Sequence, residues 1–379
     1  MSTTKAVLFV LGVICCLHAS ALAEDAVMLR PKFKQGDSIY IELDQQVSRK
    51  QSGRGIPGGS MTINTRRTYG FIQEVKAASP TKTYLNLTFD RVSQKLEAGP
   101  MAFYFDSDAP AHEDTDEPAA EMMSPMLGMP LQLELNKDLH VTSATGMVPV
   151  REKVNKSPGK NMLLGQILAQ ELDDGRARVL YGESRFAHYP NKEVKVGDEW
   201  TRSYSDKHPQ IGEAVHTYNC RLDRISEEGG KKVAIITFEG KVTNKAPAPG
   251  ADADPDLMKI DGQSTGTATF DIEQGMIVRS SLEGKTKLRT LDEEGKESPA
   301  GMKIDMDIKS SWAVLSTAER EKIKAENAKV TEAAKKVEAE KKAARKARAA
   351  KRAEEKAESE KDGAEDESSE DDEGNESDE

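Results

Sequence analysis

The 379-residue chain carries 54 lysine and arginine residues against 65 aspartate and glutamate residues, a formal net charge of −11. Nucleic-acid binding depends on neutralising phosphates, so this acidic composition argues against nucleic acid as a partner. With only three cysteines, the chain is also not a disulfide-rich scaffold.

The N-terminus has the features of a secretory signal peptide. Lys5 precedes an apolar run over residues 6–17, and Ala21-Leu22-Ala23 provides a small-x-small cleavage site. The run is too short to span a bilayer, and no later segment is long and apolar enough to do so. We therefore expect residues 1–23 to be removed and the protein to be exported, to the periplasm or the cell exterior, without a transmembrane segment.

A competing interpretation makes Cys15 or Cys16 a lipidated first residue. Lipoprotein signals place a small residue just before that cysteine, whereas Ile14 and Cys15 stand there. After cleavage at Ala23, Cys220 is the only remaining cysteine, so no internal disulfide is expected.

Residues 24–156 predict a first β-rich unit. Gly36-Asp37 opens a strand whose apolar residues alternate at Ile39, Ile41 and Leu43. An acidic stretch over residues 106–121 predicts a mobile surface loop. The other expected elements are a hairpin loop (52–60), strands (62–75 and 84–89), a turn (78–80), a short helix (122–129) and a hairpin (131–141).

Residues 157–175 predict a connecting helix. Ser157-Pro158 resembles an N-cap followed by proline at the first helical position, and Asp173-Asp174-Gly175 is interpreted as its stop. Residues 176–316 then predict a second β-rich unit. Its expected elements are strands (178–186, 216–225, 233–238 and 302–315), a turn at Gly229-Gly230, a loop (246–256) and a hairpin (266–284).

The two units repeat each other in order. Gly36-Asp37 recurs as Gly197-Asp198, and Thr68-Tyr69 recurs as Thr217-Tyr218. Thr88-Phe89 recurs as Thr237-Phe238, and the hairpin at 133–141 has a counterpart at 270–278. The predicted fold class is therefore mainly β, with two related antiparallel curved-sheet units that arose by internal duplication.

From Thr317 the composition changes to strong helix formers, which predicts a charged helix over residues 317–360. Ile323, Val330 and Val337 are spaced seven apart, as in a coiled coil, but the other seam positions are too polar for a stable zipper. A single solvated helix is thus preferred. Residues 361–379 are highly acidic and predict a disordered tail.

No residue pattern predicts a catalytic, cofactor-binding or metal site. Cys220 lies on the strand face of Tyr218 and Leu222, which favours core packing over a catalytic thiol. Asp37 and Asp198 each follow a turn glycine, which favours local backbone bonding over a paired-carboxylate site.

Metal sites are similarly weak in the sequence. The mature histidines, His112, His140, His188, His208 and His216, lack paired zinc-ligand spacing. The acidic residues at 106–121 and at Asp252-x-Asp254-x-Asp256 lack the pattern of a calcium-binding hand. Four methionines suggest an adaptable apolar turn on the sheet rather than a copper site: Met122, Met123, Met126 and Met129.

Basic residues are dense over residues 341–352, where seven of twelve are lysine or arginine. Contact with an anionic surface is one interpretation. A solvated helix, partly neutralised by the acidic tail, is the simpler one.

One segment resembles a known family. Phe186-x-x-Tyr189-Pro190-x-x-x-Val194-x-Val196-Gly197-Asp198-x-Trp200 is similar to the centre of an uncharacterised bacterial family of exported β-rich proteins, domain of unknown function 6263. Phe270-Asp271-x-x-x-Gly275 fits the same pattern, whereas Asp138 stands in the first hairpin where the second has Gly275. The resemblance covers residues 31–315 and implies export and a curved sheet, but no activity.

The leading functional hypothesis is an exported, non-enzymatic protein that binds a lipid, another apolar ligand or an envelope component on a curved sheet. A structural or adaptor protein that contacts an envelope partner through the charged C-terminal helix is the alternative. A hydrolase is the third hypothesis. The expected partners include no nucleic acid, no cofactor is expected, and the oligomeric state is left open.

Overall fold

Most of the chain that can be described is β-strand. The computed structural model describes residues 26–53, 56–99, 101–108, 117–157, 172–208, 211–245, 258–292 and 296–329, together with isolated positions at 165, 332, 336, 340, 343 and 344. The described residues up to Glu321 belong to one compact unit, and those from Lys322 belong to a second.

The strands of the first unit are numbered in chain order. They are β1 (Val27–Met28), β2 (Ser38–Ser52), β3 (Ser60–Ala78), β4 (Lys82–Ala98), β5 (Met101–Asp106), β6 (Pro130–Asn136), β7 (Val141–Thr145), β8 (Glu193–Val194), β9 (Glu199–His208), β10 (Gly212–Glu228), β11 (Lys231–Asn244), β12 (Met258–Asp271), β13 (Met276–Thr290) and β14 (Lys303–Leu315).

The helical elements are short. They are α1 (Glu117–Met123), a 3₁₀ turn (Ser124–Met126), α2 (Met147–Lys156), α3 (Asp174–Ala177), a π-helical turn (Arg178–Glu183), α4 (Ser184–Phe186) and α5 (residues 317–329). The continuous stretch Asp174–Phe186, from α3 through the π turn to α4, is called the bridging segment below.

One antiparallel sheet holds twelve of the described strands. Eleven follow the order β7-β6-β4-β3-β2-β14-β13-β12-β11-β10-β9, and β5 pairs with β4. The joint between the two chain halves is the β14–β2 pair, in which Trp312 lies opposite Leu43 and Met306 opposite Arg49. A separate pair, β1 with β8, brings Val27 beside Val194.

The sheet curls until its two edges approach each other. Bulges at Gly70/Phe71 and at Thr269/Phe270 add local bend and twist to long strands. The edge strands β7 and β9 do not pair with each other; the bridging segment lies between them and contacts both. The result is an incomplete barrel whose wall is completed by helix.

Methionines fill part of the core where α1 and the 3₁₀ turn meet the sheet. Met122 and Met123 are fully buried and Met126 is 2% exposed. The backbone N–H of Gly128 donates to the carbonyl of Phe89 on β4, at 2.9 Å, which ties this turn to the strand. These residues pack as the apolar turn that the sequence predicts.

The mainly β, antiparallel prediction is confirmed. Apart from residues 178–186, the expected strands and hairpin turns are present, and most of the strands are longer than predicted. The predicted acidic loop at 106–121 is partly helical, because α1 begins at Glu117. Residues 109–116 of that loop, and the loop at 246–256, lie outside the described residues.

The strand predicted over residues 178–186 is wrong, because these residues are helical. Asp173 is the reason: its carboxylate accepts from the backbone N–H of Gly175 (2.8 Å) and of Arg176 (3.4 Å), so it starts a helix rather than ending one. Val179, Tyr181 and Glu183 are all buried, which produced the alternation that resembles a strand.

Helix α5 begins with a capping box. The Ser316 hydroxyl accepts from the backbone N–H of Glu319, and the Glu319 carboxylate accepts from the backbone N–H of Ser316 at 2.7 Å. Arg320, in the first turn, is 6% exposed and forms ion pairs with Asp90 (3.0 Å) and Asp108 (2.8 Å). The start of α5 is therefore fixed to the sheet.

Several predicted segments lie outside the described residues. These are the signal peptide at 1–23, residues 158–164 and 166–171 of the connecting helix predicted at 157–175, most of the charged helix beyond residue 329, and the acidic tail at 361–379.

Candidate functional site

The curled sheet and the bridging segment enclose a cavity of about 470 Å³. Side chains from β2, β3, β9, β10, β11, β12, β13 and β14 line it, so both ends of the sheet contribute to one space. The apolar lining residues include Ile41, Leu43, Val47, Ile63, Tyr69, Phe71, Val179, Tyr181, Tyr204, Tyr218, Leu282, Leu288, Ile304, Met306, Ile308 and Trp312.

Strand β14 shows how the alternation of side chains builds this cavity. Even-numbered residues such as Met306, Ile308 and Trp312 face inward and line it, while Asp305, Asp307 and Lys309 face outward and are exposed. The inward apolar residues are nevertheless only half-buried. Part of the apolar surface of these inward-facing residues is therefore exposed to the cavity.

Tyr181 of the bridging segment closes one side of the cavity with an aromatic cluster. Its ring is edge-to-face with Tyr69 (5.8 Å between centroids), Phe71 (5.2 Å) and Phe89 (5.5 Å). Edge-to-face pairs contribute roughly 0.5–1.5 kcal/mol each beyond the burial of area. The segment is thus held by side-chain packing against β3 and β4.

Polar contacts tie the bridging segment to both sheet edges. The Arg178 guanidinium donates to the carbonyl of Val141 on β7 (3.4 Å) and to that of Ser205 on β9 (2.6 Å). Glu183 accepts from the backbone N–H of Val141 (3.2 Å) and from Arg178 (3.0 Å). Burial raises the pKa of Glu183, which His140 and Arg178 partly offset.

Gly182 allows the close approach of the bridging segment to β7. A Cβ atom at this position would lie 2.7 Å from Cγ2 of Val141, which is shorter than real contacts of that kind. Glycine is therefore required for the helix to lie against this edge strand.

A half-buried arginine, Arg185, and a buried histidine, His188, follow in the chain. His188 is 4% exposed, stacks on Phe238 at 3.9 Å, and has no hydrogen-bond partner at either ring nitrogen. Burial lowers the pKa of His188 to about 3. The Arg185 guanidinium donates to Oε1 of Gln73 at 2.7 Å, and burial lowers its pKa to about 10.

A second basic group lies near the β9 end of the cavity. Arg176 pairs with Asp206, and burial together with the charges of Arg176 and Arg49 lowers the pKa of His208. The Nε of Arg49 is buried without a hydrogen-bond partner. Burial also lowers the pKa of the Arg49 guanidinium.

The candidates weighed from sequence occupy structural positions. Cys220 is 1% exposed, and burial raises its pKa to about 12. Asp37 and Asp198 each accept a hydrogen bond from the backbone N–H three residues earlier, at 3.1 and 2.9 Å from Lys34 and Lys195, as predicted for turn residues. Neither aspartate lines the cavity.

Sequence reasoning missed the cavity and most of the residues that line it. His188, His208 and His216 line the cavity, and all three are distant in sequence from Arg49, which lines it as well. The Met cluster at 122–129 does not contribute to the lining, and the basic stretch at 341–352 lies almost wholly outside the described residues. One signal was available: inward positions of β13 and β14 carry Ser280, Gly284 and Ser310, side chains too small to fill a barrel.

The described residues contain neither a cluster of metal ligands nor a membrane-spanning helix. No cluster of three or more histidine, cysteine, aspartate or glutamate side chains in this part of the chain has a geometry that would hold a metal ion. None of the helices described is both long and apolar enough to cross a membrane.

Comparison with solved structures gives only distant similarities. A structure titled "Lipid-protein interactions in lipovitellin" is 9% identical, with 75% of this chain and 26% of that chain covered and a TM-score of 0.38. This chain thus spans about a quarter of lipovitellin. An outer membrane channel from Pseudomonas putida F1 is also 9% identical, with 76% and 98% covered and a TM-score of 0.19.

DynF from the dynemicin biosynthesis pathway of Micromonospora chersina is 8% identical, with 78% of this chain and 89% of DynF covered and a TM-score of 0.18. TM-scores in this range support no functional argument. No curated protein sequence matches the chain. Residues 80–277, more than half of the chain, match the sequence profile described as "Family of unknown function (DUF6263)", and the chain belongs to that family.

Proposed function

We propose that this protein is an exported, non-enzymatic binding protein that holds an apolar ligand inside the curled sheet. The observation that carries the proposal is the half-exposed apolar inner face of β14, β13 and β2 around the 470 Å³ cavity. Ligand pockets commonly measure about 300–1,000 Å³ and are mostly apolar, with a few polar groups. The cavity has this size and character.

The energetics favour an occupant over water. Leu43, Leu282 and Ile308 expose apolar surface to the cavity, and covering such surface stabilises by about 0.8 kcal/mol per buried methylene. Several methylenes placed against this face would offset the loss of ligand freedom on binding. A flexible hydrocarbon chain would supply these methylenes and would need few hydrogen bonds to the protein.

Matching ring contacts and turn geometry in the two chain halves also support the proposed internal duplication. Tyr69 and Phe89 pack edge-to-face at 6.0 Å, and their counterparts Tyr218 and Phe238 pack edge-to-face at 5.9 Å. The turns at Gly36 and Gly197 have nearly the same φ, 88° and 91°. In the hairpin turns the left-handed residue is Gly275 in one copy and Leu139 in the other, with φ of 68° and 63°.

The test uses two neighbouring serines on β14. Ser310 faces the cavity and Ser311 faces outward, so Ser310→Phe fills the space while Ser311→Phe is the matched control. Native mass spectrometry of the gently purified full chain should detect a co-purified apolar molecule. After solvent extraction, Ser310→Phe should weaken binding of a fluorescent apolar probe by at least about 10-fold, which is 1.4 kcal/mol.

The Ser311→Phe control should bind the probe as the unsubstituted chain does. A protein that is isolated empty and binds the probe equally well with and without Ser310→Phe would contradict the proposal.

A structural or adaptor role for the charged C-terminal helix is the second candidate. The observation that favours it is the anchoring of Arg320 between Asp90 and Asp108, which fixes where the helix begins. Removing residues 322–379 should then abolish capture of an envelope partner while leaving the melting temperature of the sheet unchanged. Retained capture by the truncated chain would exclude this role.

A further inference from the structure

The charge of the cavity lining points to the class of ligand. Among the described residues whose side chains line the cavity are four arginines (Arg49, Arg67, Arg176 and Arg185), but only one carboxylate, that of Asp206. Asp206 already pairs with Arg176. The cavity therefore has an excess of positive charge although the chain as a whole is acidic.

Arg49 is the arginine with the least compensation. It lies on the inward face of β2, and it forms no ion pair with any described residue. The charges of Arg49 and Arg176 both lower the pKa of His208, so these three basic groups lie near one another, and the Asp206 carboxylate pairs with Arg176. Buried cations are normally paired, because an unpaired one loses its hydration without return.

Arg185 is better satisfied, although its Nε, like that of Arg49, is buried without a hydrogen-bond partner. Its guanidinium donates to Gln73 and lies 5.7 Å from the ring centroid of Trp312 and 5.5 Å from that of Phe186. Contacts with an amide oxygen and two aromatic faces compensate a desolvated cation in part. Of these two arginines, Arg49 has fewer compensating contacts, so an anionic ligand would stabilise its guanidinium more.

The separation along β14 between the level of Arg49 and that of Trp312 limits the length of the ligand. Arg49 lies opposite Met306 on β14, and Leu43 lies opposite Trp312, six residues further along the same strand. At about 3.4 Å per residue, this separation is roughly 20 Å. Ile308 and Ser310 line the path between these two levels.

We propose that the cavity binds an elongated anionic amphiphile, with a carboxylate or phosphate head paired to Arg49 and a hydrocarbon tail along β14 toward Trp312. The proposal rests on the proposed function and narrows its ligand class. A guanidinium binds carboxylate and phosphate oxygens through two parallel N–H···O bonds, which a neutral head group cannot match.

The test measures binding of matched single-chain probes to the solvent-extracted full chain by calorimetry. The probes share one chain length and carry a carboxylate, a phosphate, a hydroxyl or a quaternary ammonium head. The carboxylate or the phosphate probe should bind about 10- to 100-fold more tightly than the alcohol. Whichever anion binds more tightly identifies the head group.

Two variants locate the preference. Arg49→Met should remove the anion preference while leaving alcohol binding within about twofold, and Arg49→Lys should retain part of it. Lys50→Met, at the exposed, outward-facing neighbour on β2, should leave the preference intact. Melting curves of all variants check that they are folded.

The outcomes separate this inference from the proposed function. Equal affinity for the carboxylate and alcohol probes, or tightest binding of the ammonium probe, overturns the anion inference while the apolar cavity stands. Inorganic phosphate binding alone as tightly as the phosphate amphiphile also overturns it, because the tail would then contribute nothing. Failure of every probe, together with no effect of Ser310→Phe, overturns the proposed function itself.

Discussion

His188 should make the stability of the protein fall as the pH drops below about 6.5. Burial lowers its pKa from 6.5 to about 3, so the unfolded chain binds a proton over this range that the folded chain does not. The lowered pKa corresponds to roughly 5 kcal/mol of stability, which is lost as the pH falls through the folded-state pKa of about 3. At pH 5 the loss is about 2 kcal/mol relative to pH 8.

The change that tests this is His188→Phe. A phenyl ring keeps the stacking on Phe238 and removes two ring nitrogens that are buried without partners. An unsatisfied buried polar group costs about 1–3 kcal/mol, so we expect the variant to be at least as stable as the unsubstituted chain at pH 8.

Urea unfolding of both proteins at pH 8, 6, 5 and 4 gives the comparison. The difference in unfolding free energy between variant and unsubstituted chain should widen by about 2 kcal/mol between pH 8 and pH 5. Other titrating groups, including His216, contribute to both curves and cancel. Parallel curves for the two proteins over this range would refute the reasoning.

Three further predictions concern other buried groups. Arg320→Met should lower the free energy of unfolding by about 1–3 kcal/mol, because it removes the ion pairs with the partly exposed Asp90 and with the buried Asp108, which keeps its pair with Arg91. Lys322→Met at an exposed position should change it by less than about 0.5 kcal/mol. Arg178→Met should speed amide hydrogen exchange in β7 and β9 but not in β14; equal acceleration in all three strands would contradict a role at the edges. Cys220 should react with a thiol reagent only after unfolding, since burial raises its pKa to about 12; rapid reaction of the native protein would contradict this.

The strands could be predicted from the sequence because the alternation of apolar and polar side chains lies within each strand. In β14, Met306, Ile308 and Trp312 alternate with polar and charged residues, and this pattern within consecutive positions predicts the strand over residues 302–315. The turn roles of Asp37 and Asp198 were likewise local, because each carboxylate bonds a backbone group three residues away.

The cavity was not accessible in the same way, because it depends on pairing between distant strands. The β14–β2 pair joins residues more than 250 positions apart, and nothing within either strand specifies the other as its neighbour. The basic character of the interior arises only when Arg49, Arg176 and Arg185 are brought to one space. The chain's net charge of −11 indicates the opposite sign.

The bridging segment was misassigned because its burial has no single face. It packs on β3 and β4 through Tyr181 and touches both sheet edges through Arg178, so apolar and polar residues are buried without helical periodicity. Only the capping geometry at Asp173 marks it as a helix, and an aspartate pair followed by glycine is equally typical of a helix end.

The absence of backbone pairing between β7 and β9 has a consequence for the volume of the cavity. Between β7 and β9, the width of the incomplete barrel is set by the side chains of thirteen residues, Asp174–Phe186, and not by backbone hydrogen bonds between strands. Substitutions in this one helical segment can therefore make the cavity smaller or larger without changing the register of any strand pair.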